Sequence, residues 1–310
     1  MRVLYLAGWG RSGSTLLAAI MGQFPGAFAA GELRSLWARG MLEGRLCGCR
    51  KPVPACPVWE DVISGAAFSL TAEEMADVQV TSLRTRDYPP AWLRLAARRG
   101  IGERLERYVA TYAAAYRAVE AATGADVVID SSGYPLDALY LARYTDAEFY
   151  VLHLVRDPRP VAAAWASPKA LDDTVDGSDS TFRQFSPAGS SAIWSLWNAV
   201  IDGPLGSAVG RDRVLRLRYE DFIADPEAAV GRVARFVGLD PATSPVDGRV
   251  ATLAPSHLVA GNPSRFATGP VEITRRPETE LSARDAVLAT APALPLLRRY
   301  GYPVRRRPAA

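Results

Sequence analysis

The chain has 310 residues, 49% of them hydrophobic, with 25 glycines, 23 prolines and a formal charge of +3. That composition is ordinary for a globular α/β protein and excludes fibrous, low-complexity and disulfide-rich scaffolds. A charge this small does not describe a nucleic-acid-binding surface, no apolar run approaches the ~20 residues of a membrane span, and Met1-Arg2 leads directly into a strand, so we expect a cytoplasmic protein with no signal peptide and neither membrane nor nucleic acid as partner.

The run Val3 to Ala7 reads as a buried strand, and Gly8-Trp-Gly-Arg11-Ser12-Gly13-Ser14-Thr15 follows it at once. Strand, then G-x-x-x-x-G-K-[ST], then helix is the frame in which backbone N–H groups cradle phosphate oxygens. Here Ser14 stands where an ATP-using enzyme carries lysine, so the charge that pulls on a γ-phosphate is missing and Arg11 supplies one inside the loop instead. Leu16, Leu17, Ile20 and Met21 then begin an apolar helix.

A second strand is expected only at Asp126 to Asp130. The intervening stretch, residues 35–125, is too long for a crossover and reads as a helical insertion that forms the acceptor site. Thr71-Ala-Glu-Glu74 is a capping box, and Leu105, Val109, Tyr112, Tyr116 and Val119 recur at helical spacing. The chain's three cysteines, Cys47, Cys49 and Cys56, lie early in this insertion. A zinc site wants four ligands, and neither His153 nor His257 is near in sequence, so a tight Pro-rich loop with buried thiols is expected and no metal. A Cys47–Cys56 disulfide is disfavoured in a reducing compartment.

Glu148 to Val155 is a third buried strand, and it ends in Arg156-Asp-Pro-Arg159. Asp157 suits an N-cap and Pro158 the first helical position, which brings Arg156 out at the carboxyl rim of the sheet beside the first loop. Residues 166–190 are polar and read as a mobile loop or lid. Ser190 to Ile201 reads as a helix, Arg213 to Leu217 as a fourth strand, and Asp225-Pro-Glu opens an amphipathic helix to Val237. His153 sits mid-strand and is expected to be a satisfied core histidine, and Arg305-Arg306-Arg307 a solvated end. The whole is a single domain over 1–310, of the three-layer α/β P-loop fold with a central parallel sheet and a helical insertion after the first βα unit.

These segments together resemble the sulfotransferases that use 3′-phosphoadenosine 5′-phosphosulfate (PAPS), in the carbohydrate, tyrosylprotein and bacterial small-molecule branches. The resemblance rests on Arg11-Ser-Gly-Ser-Thr15-Leu16, on Gly31-Glu32-Leu-Arg34, on Asp130-Ser-Ser132, on Arg156-Asp-Pro-Arg159 and on the late loop His257 to Phe266. It implies that Arg11, Ser12, Gly13, Ser14, Thr15 and Leu16 hold the 5′-phosphosulfate end and that Arg156 grips the 3′-phosphate. Asn262, Ser264 and Arg265 would close over the nucleotide. Glu32 would be the base on a hydroxylated small-molecule or sugar acceptor, with Arg34 stabilising transferred charge, the product 3′-phosphoadenosine 5′-phosphate (PAP), and no metal. A surface ion pair between Glu32 and Arg34 is the competing structural role, and His257 a second candidate base.

The chain departs from that pattern twice. Relatives place a serine eight residues after the arginine, where this chain has Ala164, and often a lysine after Asp-Ser-Ser, where it has Gly133. Arg265, Ser264 or Arg34 are the candidates to compensate. A ligand-binding relative without turnover, and a P-loop nucleotide or metabolite kinase, are the alternative readings.

Overall fold

Alternate residues of the first strand part to opposite sides of the sheet. Val3, Tyr5 and Ala7 join one apolar core, Leu4 and Leu6 another, so helices must cover both faces. The computed structural model describes residues 1–88, 100–175, 181–275 and 279–304. Residues 176–180 of the expected lid and the tail Arg305-Arg306-Arg307 lie outside the described residues.

Five parallel strands, β1 (Arg2–Ala7), β2 (Ala27–Gly31), β3 (Val127–Gly133), β4 (Glu148–Val155) and β5 (Val214–Arg218), are ordered β2-β3-β1-β4-β5. Sequence periodicity finds four of them. It misses β2, whose Ala-Phe-Ala-Ala-Gly has a single bulky residue and low intrinsic strand preference, and which exists because its backbone pairs with β3 from Ala27↔Val127 onward. The helical insertion therefore follows β2. Its helices α2 (Pro57–Gly65), α3 (Ala72–Thr81) and α4 (Glu103–Thr123) succeed α1 (Ser14–Met21), which packs on the opposite face. The Thr71 capping box forms, with Thr71 Oγ1 accepting from Glu74 N at 3.3 Å and Glu74 Oε2 from Thr71 N at 2.8 Å.

On the same face as the insertion helices, α5 (Pro135–Tyr144) follows β3, α6 (Pro158–Ala166) follows β4, and α7 (Pro187–Val200) packs on α6. After β5 come α8 (Tyr219–Ala224) and α9 (Pro226–Val237). A small antiparallel sheet of Val246–Asp247, Val250–Leu253 and Gly269–Glu272, also unforeseen, packs on α1 through its middle strand. No helix among the described residues is long and apolar enough to cross a membrane.

Candidate active site

The carboxyl ends of β1 and β4 lie side by side, with Ala7 paired to His153, so the loops that follow them share one rim of the sheet. Gly13, with φ +90°, takes the left-handed conformation that L side chains resist, and turns the chain from the loop into α1. A Cβ there would also lie 2.9 Å from the Tyr219 ring. No side chain caps α1, so its first N–H groups and the positive end of its dipole are available to an anion. Arg11 also has a positive φ, +70°, a strained choice for a residue with a side chain.

That conformation carries the Arg11 guanidinium over the Phe182 ring, 4.0 Å from its centroid, and over Trp165 at 4.8 Å. Nη1 donates to Asn262 Oδ1 at 3.0 Å, while Nε and Nη2 are buried with no hydrogen-bond partner. Burial disfavours this charge and lowers its pKa, partly offset by the nearby Glu32 carboxylate. Arg156 lies over Tyr219, 4.3 Å from the ring centroid, and its Nη1 donates to the Arg11 carbonyl at 2.7 Å. The expected cap on α6 is present: Asp157 Oδ1 accepts from Arg159 N at 3.0 Å, with Pro158 in the first turn.

Between these groups opens a cavity of about 340 Å³. Of the residues singled out by sequence, Arg11, Gly13, Thr15, Leu16, Arg156, Asn262 and Ser264 line it, as does Ala164. Ser14 begins α1. Ser12 turns away, its hydroxyl donating to Trp9 O at 2.7 Å. Thr15 Oγ1 accepts from Asn262 N at 3.1 Å, which draws the late loop onto the helix start.

The wall also holds residues that sequence reasoning missed. Lys169, with Ser167 close by, lines the cavity beyond Ala164, and its Nζ donates to Asn262 Oδ1 at 2.7 Å. The amide oxygen of Asn262 thus receives two cations, Arg11 and Lys169. The available signal was compositional: Lys169 is one of only two lysines in an arginine-rich chain.

Arg265 and Arg34 stand elsewhere. Arg265 is 1% exposed, with Nη2 on Asp173 Oδ2 at 3.1 Å and Nη1 on Gly261 O at 2.7 Å, and it is not part of the cavity wall. Asp173, itself fully buried, also pairs with Arg39 at 2.5 Å and Arg45 at 2.9 Å, so the described part of the expected lid is tied to the insertion. Arg34 is paired with buried Asp137, donates to Gln79 O at 3.2 Å, and stacks 4.1 Å from the Tyr134 centroid. Its partner is Asp137 and not Glu32.

Glu32 sits immediately after β2, where the carboxyl end of the strand delivers it to the sheet rim. Burial raises its pKa, against the opposing pull of Arg39, Arg265, the Ser35 hydroxyl and Arg11. Asp130 fixes this turn indirectly. Asp130 Oδ1 accepts from Ser132 N at 2.9 Å and Oγ at 2.5 Å, Oδ2 from Tyr116 at 2.7 Å, and Ser132 Oγ then accepts from Arg34 N at 2.9 Å. Burial pushes the Asp130 carboxyl up to about 6. Gly133 has φ +86°, and a Cβ there would come 3.0 Å from Gly8 O, so the backbone at this point favours glycine over the lysine of the pattern.

His153 is a core residue as expected: fully buried, Nε2 2.6 Å from Asn198 Oδ1 and Nδ1 3.4 Å from Asp202. His257 falls among the cysteines, with Nδ1 3.2 Å from Cys56 Sγ. The premise that no histidine joins the thiols therefore fails in three dimensions.

No curated protein is matched by the chain. Among solved structures it is similar to the sulfotransferase domain from the curacin biosynthetic pathway, at 12% identity over 98% of this chain and 99% of that one, with a TM-score of 0.53. It is also similar to sulfotransferase STF9 from Mycobacterium avium, at 11% identity over 99% of this chain and 78% of that one, with a TM-score of 0.50. At such identities the likeness is one of fold. The model of the sulfotransferase family matches residues 4–243, which hold most of the five-stranded sheet together with Arg11 and Arg156 of the cavity wall, and the chain belongs to that family.

Proposed function

We propose that the chain transfers a sulfuryl group from PAPS to a hydroxyl of a small metabolite or sugar and releases PAP. The observation that carries this reading is the Arg11 guanidinium, held beside the uncapped start of α1 with Nε and Nη2 buried and unpartnered. Two buried donors at a helix N-terminus are matched by an anionic oxygen, and leaving them unmatched is costly. Arg156 and Lys169 on the same wall make room for a second anionic group, and about 340 Å³ suits a nucleotide-sized ligand.

Arg11, Gly13, Ser14, Thr15 and Leu16 would hold the 5′ end, Arg156 with Ser264 and Lys169 the 3′-phosphate, and Asn262 would orient the cations. The bound donor supplies the sulfuryl group and a phosphate leaving group. Glu32 takes the proton of the acceptor hydroxyl, and its burial-raised pKa makes it a better base than an exposed glutamate. Arg11 and the N–H groups of α1 stabilise the charge that builds on leaving. The described parts of the insertion, residues 35–88 and 100–125, would wall the acceptor, with residues 166–175 and 181–190 beside them.

Calorimetric titration without chelator, with and without added Mg²⁺, tests the donor assignment. PAP is expected to bind without added Mg²⁺ and at least about tenfold more tightly than adenosine 5′-monophosphate, which lacks only the 3′-phosphate, since one hydrogen bond to a charged group is worth ~1.5–3 kcal/mol. A Mg²⁺ requirement with preference for ATP would make the chain a kinase. PAP binding without transfer from PAPS to any of a panel of hydroxylated acceptors would leave a binding protein on the sulfotransferase fold.

A further inference from the structure

Three thiols from the first part of the insertion converge with an imidazole from the other end of the chain. The ligand atoms of Cys47, Cys49, Cys56 and His257 all lie within 4.8 Å of one another, the one such group of three or more metal-binding side chains found among the described residues. Cys49 Sγ is 3.6 Å from Cys56 Sγ, and His257 Nδ1 is 3.2 Å from Cys56 Sγ and 3.9 Å from Cys47 Sγ. A tetrahedral ion with sulfur at about 2.3 Å and nitrogen at about 2.0 Å sets its ligands roughly 3.5–3.8 Å apart. Three of the six separations match edges of that tetrahedron to within a few tenths of an ångström, and the other pairs lie within 4.8 Å.

We propose that Cys47, Cys49, Cys56 and Nδ1 of His257 form a structural zinc site. Three soft sulfur ligands with one imidazole in a closed tetrahedron select zinc among common divalent ions, and four protein ligands leave no position for substrate. The thiols are shielded from solvent: Cys47 and Cys56 are fully buried and Cys49 is half-buried. The imidazole is oriented as well: the Phe28 ring lies nearly parallel to it, 17° between planes, and its own carbonyl accepts from Trp59 Nε1 at 2.7 Å. A Cys49–Cys56 disulfide would use two of the four groups and leave Cys47, fully buried, facing His257 with nothing to bind.

The site joins segments that the chain separates by 201 residues. Gly48 N donates to Leu258 O at 3.0 Å and Arg265 Nη2 to Leu46 O at 3.3 Å, so the ion would fasten the start of the insertion to the loop that carries Asn262 and Ser264 into the anion cavity. One ion would thereby brace the acceptor side and the donor side together. The inference does not depend on which donor or acceptor is used.

Metal analysis of the untagged protein, purified without chelator, is the test, and the expected content is about one zinc per chain. Replacement by Co²⁺ should give the sulfur-to-cobalt charge-transfer absorption and the intense visible bands of a tetrahedral thiolate site. Cys49→Ser and His257→Ala are each expected to lower bound zinc at least about tenfold and, like a strong chelator on the wild type, to lower the melting temperature by several degrees. Wild-type protein with under about 0.1 zinc per chain that takes up no Co²⁺ would overturn the proposal, as would mass-spectrometric detection of a Cys49–Cys56 disulfide in reduced-cell extracts. Where a variant is insoluble, the zinc content and cobalt spectrum of the wild type decide alone.

Discussion

Arg156 Nη1 donates to the main-chain carbonyl of Arg11 at 2.7 Å, so the arginine that ends β4 holds in place the turn that ends β1, 145 residues earlier. The two cationic motifs are thus one unit. Arg156→Ala removes a charge from the cavity and a support from the loop. We expect PAP affinity to fall roughly 10- to 100-fold, the equivalent of one charged hydrogen bond, with Arg156→Lys intermediate because it loses the planar contact with Tyr219. Titration calorimetry reads this directly, and unchanged affinity would remove the 3′-phosphate from this corner.

On the proposed reading, Lys169, which lines the cavity with Ala164, makes up for the hydroxyl missing there. Lys169→Ala should weaken PAP binding about five- to tenfold, while Ala164→Ser leaves it unchanged or slightly tighter. Arg265→Ala, by contrast, should act first on the melting temperature, because its partner is buried Asp173. A large loss of PAP affinity in Arg265→Ala with unaltered stability would reverse that ranking.

Glu32→Gln should abolish turnover and keep PAP affinity within about twofold of wild type, since a base acts on the acceptor and only during transfer. The pH profile adds a sign. The base works as carboxylate, and burial raises its pKa, so the rate falls as pH drops through a midpoint above the ordinary glutamate range. An acid limb at the value of an exposed glutamate, or turnover surviving in Glu32→Gln, would return Glu32 to a structural role.

Arg34 has the opposite expected signature. Its removal leaves Asp137, 1% exposed, as an unpaired buried acid, a change that typically costs about 3–5 kcal/mol. Arg34→Leu should therefore lower the urea midpoint sharply, and Arg34→Leu with Asp137→Leu should recover much of the loss. Full stability in Arg34→Leu with collapsed kcat would instead place Arg34 in the chemistry.

Local signals carry a good part of this molecule. The helix start at Gly13, the Asp157 cap with Pro158, the Thr71 capping box and the strands β1, β3, β4 and β5 each depend on residues within a few positions of one another, and the chain spells them out, although β5 proves to be an edge strand with only Leu217 buried rather than the buried strand expected. The order in which loop, arginine and late loop occur was likewise enough to mark the family later matched over residues 4–243.

Tertiary structure decided whatever depends on a partner distant in the chain. Strand β2 exists through its pairing with β3, because alanine-rich backbone has little preference of its own. Lys169 enters the cavity through a loop with no periodic signal. Sequence assigns the charges of Arg34 and Arg265 to a ligand, and the fold pairs each of them with a buried aspartate, Asp137 and Asp173, that nothing along the chain marks as its partner. The sharpest case is His257: spacing along the chain separates it from the thiols by some two hundred residues, while Coulomb and coordination forces depend only on the 3.2 Å that remains in space.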